Sequence, residues 1–137
     1  MNRELLEATV RHLYEGTAIE PRLELEPNVE FHDPVVIVRS RPGVVAMFAR
    51  LNRMFPATEV AKFEPDGDSA RHFRLTVHYR RTPRAAARVF ESAIEFDFVH
   101  DRISRMTEHW KKPVALSGDS SNPVLGMMRS ALGRLVS

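Results

Sequence analysis

The chain has 137 residues, 43% of them hydrophobic, and a formal net charge of +2, which is the size of one domain with a single sizeable core. Its basic residues are scattered without a run, which argues against a nucleic-acid surface, and the lack of cysteine excludes disulfides, thiolate zinc sites and thiol catalysis. No apolar run reaches a membrane span and no signal-peptide pattern opens the chain, so a soluble cytoplasmic protein is expected.

Asn2 can cap a helix whose apolar positions Leu6, Val10, Leu13 and Tyr14 share one face, and Gly16 ends it. Thr17 to Leu25 reads as a short helical turn stopped by Pro27. The first strand is then expected over residues 28 to 33, where alternation drives Val29 and Phe31 inward and carries the Asp33 carboxylate with them. After Val35 to Val38, a polar turn at Ser40-Arg41-Pro42-Gly43 leads into a helix from Pro42 to about Phe55, with Val45, Phe48, Leu51 and Phe55 at helical spacing and Pro56 closing it. Asp33 would thus sit at a strand end beneath a covering helix, which is the architecture of a pocket.

From Thr58 the period becomes that of strands, and Glu64 to Asp68 supplies the turn of an antiparallel hairpin. Phe73, Leu75, Val77 and Tyr79 point one way while His72, Arg74, Thr76, His78 and Arg80 point the other. The next strand, about Arg88 to Val99, turns Phe90, Ile94, Phe96 and Phe98 inward, with Glu91, Glu95 and Asp97 expected to pair with the outer arginines of the strand before it. A turn at His100-Asp101-Arg102 opens a last strand ending at Trp110. Residues 1–114 form the expected domain, 115–123 a linker, and 124–137 an amphipathic helix, opened by Asn122-Pro123, that would lid the pocket or swap across a dimer. Arg129 and Arg134 give that helix only a weak attraction to a membrane.

This order makes an α+β fold: one strongly curved, mixed but mostly antiparallel sheet wrapped around N-terminal helices, a cone-shaped barrel with a C-terminal helix appended. Glu30-Phe31-His32-Asp33-Pro34, the helix end Met54-Phe55-Pro56, Phe96-Asp97-Phe98, Asp101-Arg102-Ile103-Ser104-Arg105 and the closing Trp110 resemble the nuclear transport factor 2-like superfamily. Within it the chain looks most like the SnoaL-like branch, whose members include polyketide cyclases and whose relatives include ketosteroid isomerase. The resemblance covers residues 1 to about 112. It implies a cavity between the concave sheet and the helices, a small apolar ligand or substrate, and often a homodimer through the exposed sheet. It matches Asp33 to the general base of ketosteroid isomerase and Tyr14 to its oxyanion-binding tyrosine. The third key residue, an acid on the penultimate strand, aligns with Ile94, which can donate nothing.

A carboxylate held in an apolar cavity has its charged form disfavoured, so its pKa rises toward the range useful for moving protons. Asp33 would remove a proton beside a carbonyl, and the Tyr14 phenol would support the oxygen on which charge develops. Alternatively, Asp33 caps the loop that follows it or pairs with an arginine. On the last strand Met106, Glu108 and Trp110 share a face, which would bring Glu108 into the pocket, but Ile103 differs from Trp110 in parity. A bulge must therefore fall between them, and either Glu108 or His109 faces inward. Phe31, Phe48, Phe55, Phe96 and Trp110 are candidate pocket walls. No histidine spacing fits a metal, and no phosphate loop or serine elbow is present, so the expected chemistry uses no metal or cofactor. Two functions are consistent with these residues: a cofactor-independent isomerase, cyclase or dehydratase, or a non-catalytic ligand-binding or dimerisation module.

Overall fold

The computed structural model describes residues 2–16 and 24–110. The linker expected at 115–123, the helix expected at 124–137 and residues 17–23 of the expected helical turn lie outside the described residues. Helix α1 (Arg3–Glu15) is opened by Asn2, whose side chain accepts a hydrogen bond from the Leu5 N–H at 3.0 Å. Its buried stripe is Leu6, Thr9, Val10, Leu13 and Tyr14. It ends at Gly16 in the left-handed conformation, φ 67°, which glycine adopts without cost.

Strand β1 (Leu25–His32) begins three residues earlier than the sequence pattern implies, so Leu25 is strand and not helical turn. The reason is tertiary. β1 runs parallel to β6 (Arg102–Trp110), and the pairing takes hold at Leu25 opposite Ile103, slips, and resumes at Glu30 opposite Arg105. Pro27 falls within that slip, where a residue without an N–H leaves no ladder bond unmade. A three-residue strand β2 (Ile37–Arg39), unannounced by the run Val35 to Val38, folds back antiparallel on β1.

Helix α2 (Arg41–Met54) buries Val44, Met47, Phe48 and Leu51. Val45 was expected in that stripe and is only half-buried, because the helix presents the face one residue round. Phe55 ends the helix and is itself buried. Strands β3 (Glu59–Pro65), β4 (His72–Tyr79), β5 (Arg88–Val99) and β6 then form an antiparallel meander, giving a six-stranded sheet in the order β2-β1-β6-β5-β4-β3. A two-residue turn joins β5 to β6, with His100 and Asp101 both at positive φ, as hairpins of this hand require.

Extra residues at Ala61 in β3 and Ser104 in β6 break the ladder register. Each such bulge bends its strand and changes which parity faces inward. The helices cover the concave face, and a continuous buried core joins them to all six strands. On the outer face the charge pairing departs from expectation. Across β4 and β5 the pair is His72 with Glu95, at 3.6 Å, whereas Arg74 reaches sideways to Glu64 of β3, also at 3.6 Å, and Arg71 bonds Asp97. Register explains this, since Arg74 lies opposite Ala93 and not opposite an acid. Among the described residues no helix is long and apolar enough to cross a membrane.

The two helices lock at Gly16. The Asn52 side chain of α2 donates to the Leu13 carbonyl at 3.1 Å, and a Cβ on Gly16 would stand 2.7 Å from that Asn52 nitrogen. Gly16→Ala therefore combines a left-handed backbone cost with a clash, and should lower unfolding stability by about 1–3 kcal/mol in a urea titration.

Candidate active site

Three elements that are distant in sequence bring ionisable groups to one small space. Alternation along β1 buries Val29 and Phe31 and delivers Asp33 just beyond the strand end. There its Oδ1 accepts hydrogen bonds from the N–H groups of Val35 and Val36 at 2.7 and 2.8 Å, while Oδ2 is buried without a hydrogen-bond partner. Asp33 thus caps the loop with one oxygen and keeps the other free. Burial raises its pKa, and the two backbone N–H groups offset part of that rise.

The bulge at Ser104 settles the parity of β6. Ile103, Met106 and Glu108 face inward, whereas His109 is exposed on the outer face. The expectation that His109 lines a pocket is therefore corrected: one extra residue before Met106 hands the inward position to Glu108. Glu108 is only 4% exposed and lies opposite Ile94 of β5. Its Oε2 accepts a hydrogen bond of 2.7 Å from the Tyr14 hydroxyl, 94 positions away in the chain.

Burial pushes the Glu108 carboxyl up to about 7, with the Asp33 charge adding to the rise, while hydrogen bonding from Tyr14, Ser92 and Trp110 favours the ionised form. The Trp110 indole N–H is buried without a partner at full hydrogen-bond geometry, so its help is electrostatic and weak. Tyr14 is raised well above the ordinary phenol range, by burial first and by the Glu108 charge second. It therefore stays a neutral donor.

Tyr14, Asp33 and Glu108 line one cavity together with Phe31, Met47, Phe48, Leu51 and Tyr79. The space open to the centre of a water molecule is about 10 Å³, which is room for a single water. Phe48, edge-on to Tyr14 at 4.7 Å and to Phe31 at 5.4 Å, is also a wall of an open groove of about 310 Å³ between α1 and α2. The remaining expected wall residues lie elsewhere. Phe55 packs behind Tyr79 with ring centres 5.5 Å apart, Phe96 belongs to a cluster with Phe63 and Phe73, and Trp110 stands against Phe90 at 5.2 Å. Tyr79 escaped notice as a site residue although alternation placed it inward. Its signal was a phenol closing an otherwise aliphatic and aromatic stripe. Among the described residues no group of three or more His, Asp or Glu could hold a metal.

The Glu108 carboxyl makes stability depend on pH. Unfolded, it ionises near 4.5; folded, it holds its proton to about 7. Between those values the folded state binds the extra proton, so the Glu108 contribution to stability is greatest below 4.5, falls as pH rises to 7, and then levels. Asp33, raised likewise, acts in the same sense. The Glu108 share is on the order of 3 kcal/mol. Glu108→Gln should flatten the decline and raise stability at pH 8 by about 1–3 kcal/mol, as read by urea unfolding across pH 4 to 8.

Neither a protein-family model nor a curated protein matches the sequence. Solved structures do. A nuclear transport factor 2-like protein from Anabaena variabilis ATCC 29413 shares 12% identity at a TM-score of 0.61, over 80% of this chain and 89% of that one. TerC, crystallised with polyporic acid, shares 15% at a TM-score of 0.60, over 83% and 93%. A protein from Jannaschia sp. CCS1 proposed to be a SnoaL-like polyketide cyclase shares 14% at 0.56, over 88% and 94%. With the two helices of the described residues seated in a curved, six-stranded mixed sheet, this chain has the nuclear transport factor 2-like fold, in the form that SnoaL-like proteins also adopt.

Proposed function

We propose that the protein is a cofactor-independent acid–base enzyme of the isomerase, cyclase or dehydratase kind, acting on a small apolar carbonyl compound. The observation that carries this reading is the free oxygen of Asp33, buried on the same cavity as the hydrogen-bonded Tyr14–Glu108 pair. Asp33 takes a proton from the carbon beside the carbonyl, and the electron pair moves onto the carbonyl oxygen as an enolate. Glu108, poised near neutrality, supplies or accepts the second proton. Phe31, Met47, Phe48 and Leu51 exclude water from the developing charge. The fold neighbours support a ligand-binding role: one was crystallised with polyporic acid, another is proposed to be a polyketide cyclase.

A ligand larger than water needs the cavity to widen. Displacing the Phe48 ring would join it to the groove between α1 and α2, since that ring walls both. The small size of the closed cavity favours a second reading, a non-catalytic module whose interior is filled by its own side chains. In either case we take the protein to be cytoplasmic and a homodimer through the outer sheet face, where Val89 and Val99 are 51% and 47% exposed.

A thermal-shift screen of apolar ketones, enones, phenols, lactones and epoxides finds the ligand class, because a compound that binds only the folded state raises the melting temperature. On the responding class, Asp33→Asn should reduce turnover by at least about 10²-fold while preserving the thermal shift. Retained turnover would remove Asp33 as the base. The absence of a shift from every class would favour the filled module.

A further inference from the structure

Asp33 and Tyr79 both line the cavity. Asp33 Oδ2 is buried and meets no donor. Tyr79, 3% exposed, makes ring contacts with Phe55 and Phe90 but no hydrogen bond to another described residue. The other phenol on the cavity is already engaged, since the Tyr14 hydroxyl donates to Glu108. The cavity they line has space for one water, and a buried acceptor beside such a space is the setting in which internal water is held. Leaving the Asp33 oxygen buried without a partner would cost more than immobilising one water molecule.

We propose that this cavity is an oxygen-binding subsite built by Tyr79 and Asp33. In the free protein a single water accepts a hydrogen bond from the Tyr79 hydroxyl and donates one to Asp33 Oδ2. When a carbonyl ligand enters, its oxygen replaces that water and accepts from Tyr79, leaving Asp33 Oδ2 free to take the adjacent proton. The ligand-bound half of this inference rests on the function proposed above; the water does not. Tyr79 is then the phenol that touches the ligand. Tyr14, to which the family resemblance gave that part, is a positioning residue that holds Glu108.

The subsite needs no substrate to be tested. A crystal structure of the full chain at near-atomic resolution should show a water about 2.6–3.2 Å from both Tyr79 Oη and Asp33 Oδ2. Tyr79→Phe should lose or displace it while the Tyr14–Glu108 bond persists. A dry cavity, or a water unmoved in Tyr79→Phe, overturns the proposal. With acetophenone as probe, the infrared carbonyl stretch of the bound ketone should shift to lower wavenumber in the wild-type protein and in Tyr14→Phe, but not in Tyr79→Phe. The reverse pattern overturns the assignment of Tyr79 as the ligand's donor. If acetophenone fails to bind while the water is present, the carbonyl function falls and the water subsite stands.

Discussion

A carboxyl group with almost no access to solvent is the constraint on which the rest of this structure turns. Glu108 lies on the concave face of the sheet, and its main hydrogen bond comes from a helix formed by the first residues of the chain. Without the Tyr14 hydroxyl the carboxyl would have to hold its proton still more tightly or draw water into the core. Without the carboxyl, the phenol would be a buried donor with nothing to satisfy it. The pair therefore acts as a polar clamp between α1 and β6, set among Phe31, Met47, Phe48 and Leu51. In a region of low dielectric such a clamp also ties the position of the helix to the protonation state of the sheet.

The curvature that makes this arrangement possible comes from small defects. A flat sheet with six strands could not face both helices with one concave surface. Single extra residues at Ala61 and Ser104, and the longer slip between Leu25 and Glu30, bend it where the helices need room. The same defects decide chemistry, because each exchanges the inward and outward parity of the residues beyond it. One residue at Ser104 is the difference between a carboxyl and an imidazole in the interior.

Much of this was legible from local patterning. Both helices, the hairpin turn at Glu64 to Asp68, and the inward faces of β4 and β5 follow from period and turn chemistry, which depend on neighbours in the chain. Asp33, Tyr14, Phe31 and Phe48 could be placed together because a strand end under a helix has only one concave side. What escaped depended on long-range register. The early start of β1 is set by pairing with a strand far along the chain, and the position of the bulge in β6 by pairing with β5. The partners of Arg74 follow from which residue happens to lie opposite it. Tyr79 reads in the sequence as an ordinary inward aromatic, and its place on the cavity follows only from the assembled sheet. Parity tells which way a side chain points, and only the assembled structure tells which of its hydrogen-bonding groups are still free.

The parallel seam between β1 and β6 has a consequence for how the molecule comes into being. The antiparallel meander from β3 to β6 is closed by short connections and can form from local contacts, whereas β1 must find β6 across most of the chain, and Tyr14 must find Glu108 across 94 positions. Loop closure of that length is entropically expensive and is compensated only once the seam is made. On the ribosome α1 can meet α2 and β1 can meet β2 early, but Tyr14 and the free edge of β1 wait for β6 until residue 110 is clear of the exit tunnel. The Tyr14–Glu108 pair is thus among the last contacts of the domain to form, and it forms only when the sheet is complete.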